Sequence, residues 1–153
     1  MFIVTTKLNK KKALLIVLAI SLILGAVILI AGRRDREGAQ LKVESETDIL
    51  AHLETLGWDV APEALEIQAV LIPREFSEIF ETYNEMQKEA GFDLRDYKGR
   101  EAVRYTYRVL NHPDQMEGVI LDVLVSDGRI IGGDIQSIHQ SGFMHGLIAR
   151  QGA

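Results

Sequence analysis

The sequence predicts an α+β domain behind an N-terminal membrane anchor, and three observations carry that expectation. An uncharged apolar run fills residues 13–31, two stretches of helical periodicity are separated by strand-like segments, and the C-terminal half reads as three successive strands joined by turns. The expected order is α-β-β-α-β-β-β, with both helices packed on one face of a mainly antiparallel sheet.

The apolar run comes first. "ALLIVLAISLILGAVILIA" contains one polar residue, Ser21, and thirteen of its nineteen positions are Leu, Ile or Val. As a helix it spans roughly 28 Å, close to the hydrocarbon thickness of a bilayer, and its side chains contribute roughly −5 kcal/mol toward insertion. It lacks the polar stripe of a core helix. A cleaved signal peptide would have a shorter run ending in an A-x-A pattern, which is missing, so the segment reads as an uncleaved single-pass anchor. The expected division is a basic segment over 1–12, a transmembrane helix over 13–31 with the lipid bilayer as its partner, a linker over 32–44 and an acidic α+β domain over 45–153. Four lysines before the span against three arginines after it place the N-terminus in the cytoplasm and the C-terminal domain outside.

Charge divides the chain at the same place. Residues 1–40 carry seven basic and two acidic side chains, which leaves ten basic and twenty acidic in residues 41–153, a net of −10. Such a domain disfavours nucleic acid, which needs clustered Lys and Arg against phosphates. The absence of cysteine excludes disulfides, thiolate metal sites and a cysteine nucleophile.

Within the acidic part, "SETDILAHLETLG" opens with Ser45 three residues before Asp48, a capping-box pattern, and repeats Ile49, Leu50, Leu53 and Leu56 before the stop at Gly57. His52 falls just off that apolar arc, as a partly exposed surface residue. Trp58 and Val60 precede "EALEIQAVLIP", whose alternation of Leu65, Ile67, Ala69 and Leu71 with Glu66, Gln68, Val70 and Ile72 predicts a strand more buried toward its end. Pro73 ends the strand and suits the first turn of the next helix. That helix, "REFSEIFETYNEMQKEAG", puts Phe76, Ile79, Phe80, Tyr83 and Met86 or Gln87 on one face and stops at Gly91. Its opposite glutamates, Glu75, Glu78, Glu81, Glu85 and Glu89, form a solvated face, since one helix face cannot wrap a hard cation.

The remainder reads as β. Val103, Tyr105, Tyr107 and Val109 alternate with polar residues, and Val119, Leu121, Val123 and Val125 do so after the "HPDQMEG" turn. Asp127-Gly128 is a hairpin signal before "RIIGGDIQSI". Asp122 is expected to face Arg104 or Arg108 across the strands.

The chain resembles the domain of unknown function 4830 family of Firmicutes. The resemblance is carried by "MFIVTTK", the apolar span, "LGWDV" at 56–60, "YNEMQKEAGFDL" at 83–94, "RYTYRVLNHP" at 104–113 and "GGDI" at 132–135. It implies a small single-pass membrane protein without an assigned activity and brings no catalytic residues with it.

Chemistry-bearing residues are few. In "GGDIQSIHQSGFMHGL", Asp134, His139 and His145 follow one another at a spacing that fits no zinc or catalytic motif. Gly132 and Gly133 suggest a bulge or a close backbone approach, with Asp134 accepting hydrogen bonds from exposed backbone. The following residues read as a turn, with Phe143, Met144 and Leu147 closing over the sheet. Serines 126, 137 and 141 lack a nucleophile-elbow context, and no glycine-rich phosphate loop precedes a helix. No cofactor, metal or catalytic residue is therefore assigned. The leading expectation is a non-enzymatic interaction or regulatory module that meets a membrane or envelope protein partner. Its candidate binding residues are Tyr105, Tyr107, Asp134, His139 and His145. The alternative is an envelope metal-binding protein or hydrolase that uses Asp134, His139 and His145, with His112 as a further ligand.

Overall fold

A computed structural model describes residues 42–113, 117–139 and 142–150. The expected basic segment, transmembrane helix and most of the linker lie outside these residues. Among the described residues no helix is long and apolar enough to cross a membrane.

Helix α1 (Glu46–Thr55) starts as its sequence dictates: Asp48 Oδ2 accepts the backbone N–H groups of Glu44 and Ser45 at 2.8 and 2.9 Å. These contacts hold the Asp48 carboxyl below its ordinary range. Gly57 takes the left-handed conformation that stops the helix, at φ 81°. Strand β1 (Glu66–Leu71) and helix α2 (Glu78–Glu89) follow, then a 3-10 turn (Leu94–Tyr97) and strands β2 (Glu101–Arg108), β3 (Val119–Ser126), β4 (Arg129–Ser137) and β5 (Met144–Gly146). The five strands form one sheet in the order β1-β2-β3-β4-β5, antiparallel throughout. Asp127 and Gly128, both at positive φ (50° and 68°), make the two-residue hairpin turn between β3 and β4.

Two features of the expected order change. The early pair of strands is reduced to β1, because the segment around Val60 makes only an isolated bridge to Val109; Pro62, with no N–H to donate, stands where that pairing would continue. At the other end, Met144–Gly146 pairs with β4 as a fifth strand where a turn was expected. Val43, two residues before the expected start of the domain, is buried in the core, and its N–H donates to the Gly128 carbonyl at 2.8 Å.

The helices cover opposite faces of the sheet, not one. Ile49 and Leu53 of α1 pack with Tyr107, Leu121, Val123 and Ile135, while Phe80 and Tyr83 of α2 belong with Ala102, Leu124 and Ile131. Alternation along β3 sends Leu121 and Val123 one way and Asp122 and Leu124 the other. The sheet is thus apolar on both sides, and a sequence whose strands each offer two usable faces does not say which helix takes which.

Helix α2 departs most from its predicted face. Pro73 lies before the helix, and Ser77 is the N-cap, its hydroxyl accepting the Phe80 N–H at 3.3 Å. Ile79 is 84% exposed, whereas the amides of Asn84 and Gln87 are fully buried. Asn84 Oδ1 accepts the Leu94 N–H at 2.8 Å and its Nδ2 donates to Asp93 Oδ1 at 3.0 Å, which fixes the chain entering the 3-10 turn. Gln87 Oε1 accepts the Gly133 N–H at 2.9 Å. Strand β1 is exposed along most of its length, so the expected increase in burial appears only beyond its end, at Ile72.

Candidate functional site

Between α2 and its face of the sheet runs a groove of about 740 Å³, reaching from Val70, Leu71 and Ile72 at the β1 end to Met144 on β5. Its walls are mainly apolar, with Phe80, Met86 and Leu124 prominent, and Ile79 stands at its rim. The floor is polar because the β3–β4 register sets Asp122 directly opposite Asp134, on the α2 face. Met144 is half-exposed at this groove instead of closing over the sheet; Leu147 does close, on the other face.

The glycine pair makes this arrangement possible. Leu124 pairs with Gly132 and Val125 with Ile130, so Ile131 is the extra residue of a β-bulge. A Cβ on Gly132 would lie 2.7 Å from Gln87 Oε1, and one on Gly133 would lie 2.5 Å from the Asp122 carbonyl oxygen. The expected bulge and close approach are both present.

Asp134 is 3% exposed. Its Oδ2 accepts the Tyr83 hydroxyl at 2.8 Å, so the donor comes from α2 and not from the backbone as expected. Its Oδ1 is buried without a hydrogen-bond partner. Burial, with the Asp122 carboxylate adding to it, pushes the Asp134 carboxyl up to about 6, against the opposing effects of the Tyr83 hydrogen bond and the Arg104 charge. Burial and then the charge of Asp134 push the Tyr83 phenol far above its ordinary range.

The other floor groups are engaged. Asp122 Oδ1 accepts the Thr106 hydroxyl, and its Oδ2 accepts the Gln136 amide at 3.4 Å. Arg104, expected as a partner of Asp122, turns instead to the edge: its Nη2 donates to Glu66 Oε2 at 2.9 Å and to Gln68 Oε1 at 2.8 Å. The register explains this, since Asp122 stands opposite Thr106 while Arg104 stands opposite Leu124 and Gln68. Arg104 Nε is buried and unpartnered.

The remaining sequence candidates lie elsewhere. His145 stands opposite Ile135 on β4 and faces the α1 side, away from Asp134. There it stacks with Phe143, at 5.8 Å between ring centroids, in a cluster with Trp58 and His112. His139 is exposed beyond the end of β4, against Gly118. Asp134, His139 and His145 are therefore not brought together, and among the described residues no three His, Asp or Glu side chains converge as metal ligands. Tyr107 is fully buried with its hydroxyl donating to Glu46 Oε1 at 3.1 Å, and Tyr105 is half-buried against the same core. Sequence reasoning selected Asp134 but missed Tyr83, Arg104, Asp122 and Gln136 as its surroundings. The available signal was the strand alternation, which already placed Asp122 opposite its apolar neighbours.

Comparison with curated proteins gives no match, and comparison with solved structures gives none either. Residues 52–135, more than half of the chain, match the family model described as a domain of unknown function (DUF4830). That stretch contains all of α2 and both floor carboxylates, and by this match the chain belongs to the DUF4830 family.

Proposed function

We propose that this protein is a membrane-tethered, non-enzymatic recognition module whose α+β domain, held outside the cytoplasm by residues 13–31, binds a membrane or envelope protein partner through the α2 groove. One observation carries the reading: a long, open, mainly apolar groove has a buried carboxylate oxygen on its floor that no group among the described residues satisfies. An unsatisfied buried acceptor costs about 1–3 kcal/mol, a cost that a bound donor removes. The uncharged apolar span and the charge division of the sequence support the tether.

A hydrolase is the second reading, favoured by the raised titration of Asp134, which suits a general acid. It needs a second group free to attack or to activate water. Asp122, the neighbouring carboxylate, has both oxygens engaged, and among the described residues no Ser, Cys or His lines the groove. Recognition is the better supported of the two.

Photocrosslinking in intact cells tests the proposal, with a photoreactive residue at Ile79 or Thr82 on the groove rim and at Glu54 on α1 as the control. A discrete adduct from the rim positions and none from Glu54 is the expected result. Identical adducts from both faces, or none from the rim, would reject the groove as the recognition surface.

A further inference from the structure

Asp134 is an unusual floor for an apolar groove. One carboxylate oxygen is taken by Tyr83, the other is buried and bare, and a second carboxylate, Asp122, stands directly across the strand pair. Two acids so placed repel each other, and a cation between them removes that repulsion while filling the bare acceptor. The cation among the described groove residues, Arg104, has its Nη2 committed to Glu66 and Gln68 on the β1 side.

The size and shape of the groove narrow the cation. Its lining runs from β1 to β5, four strand spacings or about 19 Å, which matches five or six residues of extended chain. A guanidinium binds a carboxylate best through two oxygens, and Asp134 offers one; an ammonium is a point charge that needs only one. The apolar walls suit the four-carbon stem that carries an ammonium in lysine. Arg104 Nε, buried and bare, offers a donor that a peptide carbonyl of the same segment would satisfy.

Resting on the recognition reading above, we infer that the groove takes a segment of the protein partner in which one lysine is flanked by apolar residues, with the lysine ammonium seated on Asp134 Oδ1.

Binding then depends on the charge state of Asp134. The groups that face it are Tyr83 from α2, Asp122 from β3 and Arg104 from β2, with Gln136 beside it on β4; Glu66 on β1 acts through Arg104. Because Asp134 takes up a proton at about 6, acidification displaces the ammonium.

The test uses the full chain in zwitterionic lipid nanodiscs and isothermal titration calorimetry. The probes are the peptide Ac-Ser-Leu-Lys-Val-Ser-amide, its norleucine and glutamate counterparts, and hexylammonium chloride. At pH 7.5 the lysine peptide is expected to bind at least roughly tenfold more tightly than the norleucine peptide, with the glutamate peptide weakest. Between pH 7.5 and 5 the lysine peptide should lose roughly tenfold in affinity while the norleucine peptide stays constant. Asp134→Asn should reduce the lysine peptide to the norleucine level, with far-ultraviolet circular dichroism showing the variant folded. Equal binding of lysine and norleucine would overturn the inference and leave an apolar recognition groove. Hexylammonium binding as tightly as the lysine peptide would also overturn it, in favour of a free amine. If no peptide binds while crosslinks remain specific to the groove rim, the lysine assignment falls alone; if those crosslinks fail as well, the recognition reading falls with it.

Discussion

Replacing Asp134 by asparagine is expected to stabilise the protein at neutral pH and to remove a defined part of its pH dependence. The folded carboxyl titrates at about 6 against an ordinary 3.8, so the folded state prefers the protonated acid. Below pH 3.8 the group is protonated whether the chain is folded or not, and it exacts no penalty. As pH rises through this window, the unfolded chain releases its proton first, and the folded state loses relative stability until Asp134 ionises there too, above about 6. At about 1.4 kcal/mol per pH unit, that gap is worth about 3 kcal/mol at pH 7.5. Asparagine keeps the side-chain size and an oxygen for the Tyr83 hydroxyl, and the advantage that this hydroxyl gives the charged carboxylate is already contained in the titration at about 6. The net gain is then about 3 kcal/mol at pH 7.5 and close to zero at pH 4. Urea denaturation of the full chain in detergent micelles, followed by Trp58 fluorescence at pH 4, 5.5 and 7.5, measures both. A variant less stable than the parent at pH 7.5, or a difference that does not change with pH, would refute the assignment of a strained, buried carboxylate.

Further outcomes follow from the same geometry. Tyr83→Phe removes the hydroxyl that donates to Asp134, so it should cost about 1–3 kcal/mol at pH 7.5 and less at pH 4.5, where the neutral acid needs that donor less; an equal loss at both values would separate the hydroxyl from the charge. Gly133→Ala drives a methyl against the Asp122 carbonyl, a backbone atom, at 2.5 Å, whereas Gly132→Ala meets the side-chain oxygen of Gln87 at 2.7 Å and displaces it from its hydrogen bond with the Gly133 N–H. Thermal denaturation should therefore show the larger loss for Gly133→Ala, roughly 3 kcal/mol or more against roughly 1 kcal/mol, and the reverse order would contradict the bulge geometry. Protease treatment of intact cells carrying a C-terminal tag should remove the tag, and full protection with digestion only after lysis would reverse the proposed orientation.

Much of the framework is legible in the sequence because it is set by local chemistry. Ser45 and Asp48 start α1, Gly57 ends it, Asp127 and Gly128 turn the hairpin, and each feature depends on residues within four positions of one another. Helix α2 resisted the same treatment. Its apolar periodicity includes Ile79, which faces solvent, leaves Met86 and Gln87 as alternatives and omits Asn84; Asn84 and Gln87 are buried because the Leu94 and Gly133 N–H groups find their acceptors there. Periodicity counts apolar residues and cannot see a backbone group waiting in another part of the chain. Edge position is equally hidden: β1 alternates like a half-covered strand, yet its exposure reflects its place at the end of the sheet.

The site was hidden for a different reason. Asp134 drew notice through His139 and His145, its neighbours in sequence, but a strand turns successive side chains to opposite faces and carries the next strand's contacts from far away. Its hydroxyl partner lies 51 residues earlier. Once the register is known, several departures from ordinary folding rules fall beside Asp134, although others, such as the bare Arg150 Nε, lie elsewhere. The bare Asp134 oxygen, the bare Arg104 nitrogen and exposed Ile79 all belong to the α2 groove, and Gly132 lies against Gln87 of α2. Natural sequences keep such local conflicts where function requires them, because stability alone selects against each. An apolar residue in place of Asp134 would satisfy the fold better than the carboxylate does. That cost points to a ligand that uses the charge, and it is why the Asp134→Asn variant is expected to gain stability and lose binding together.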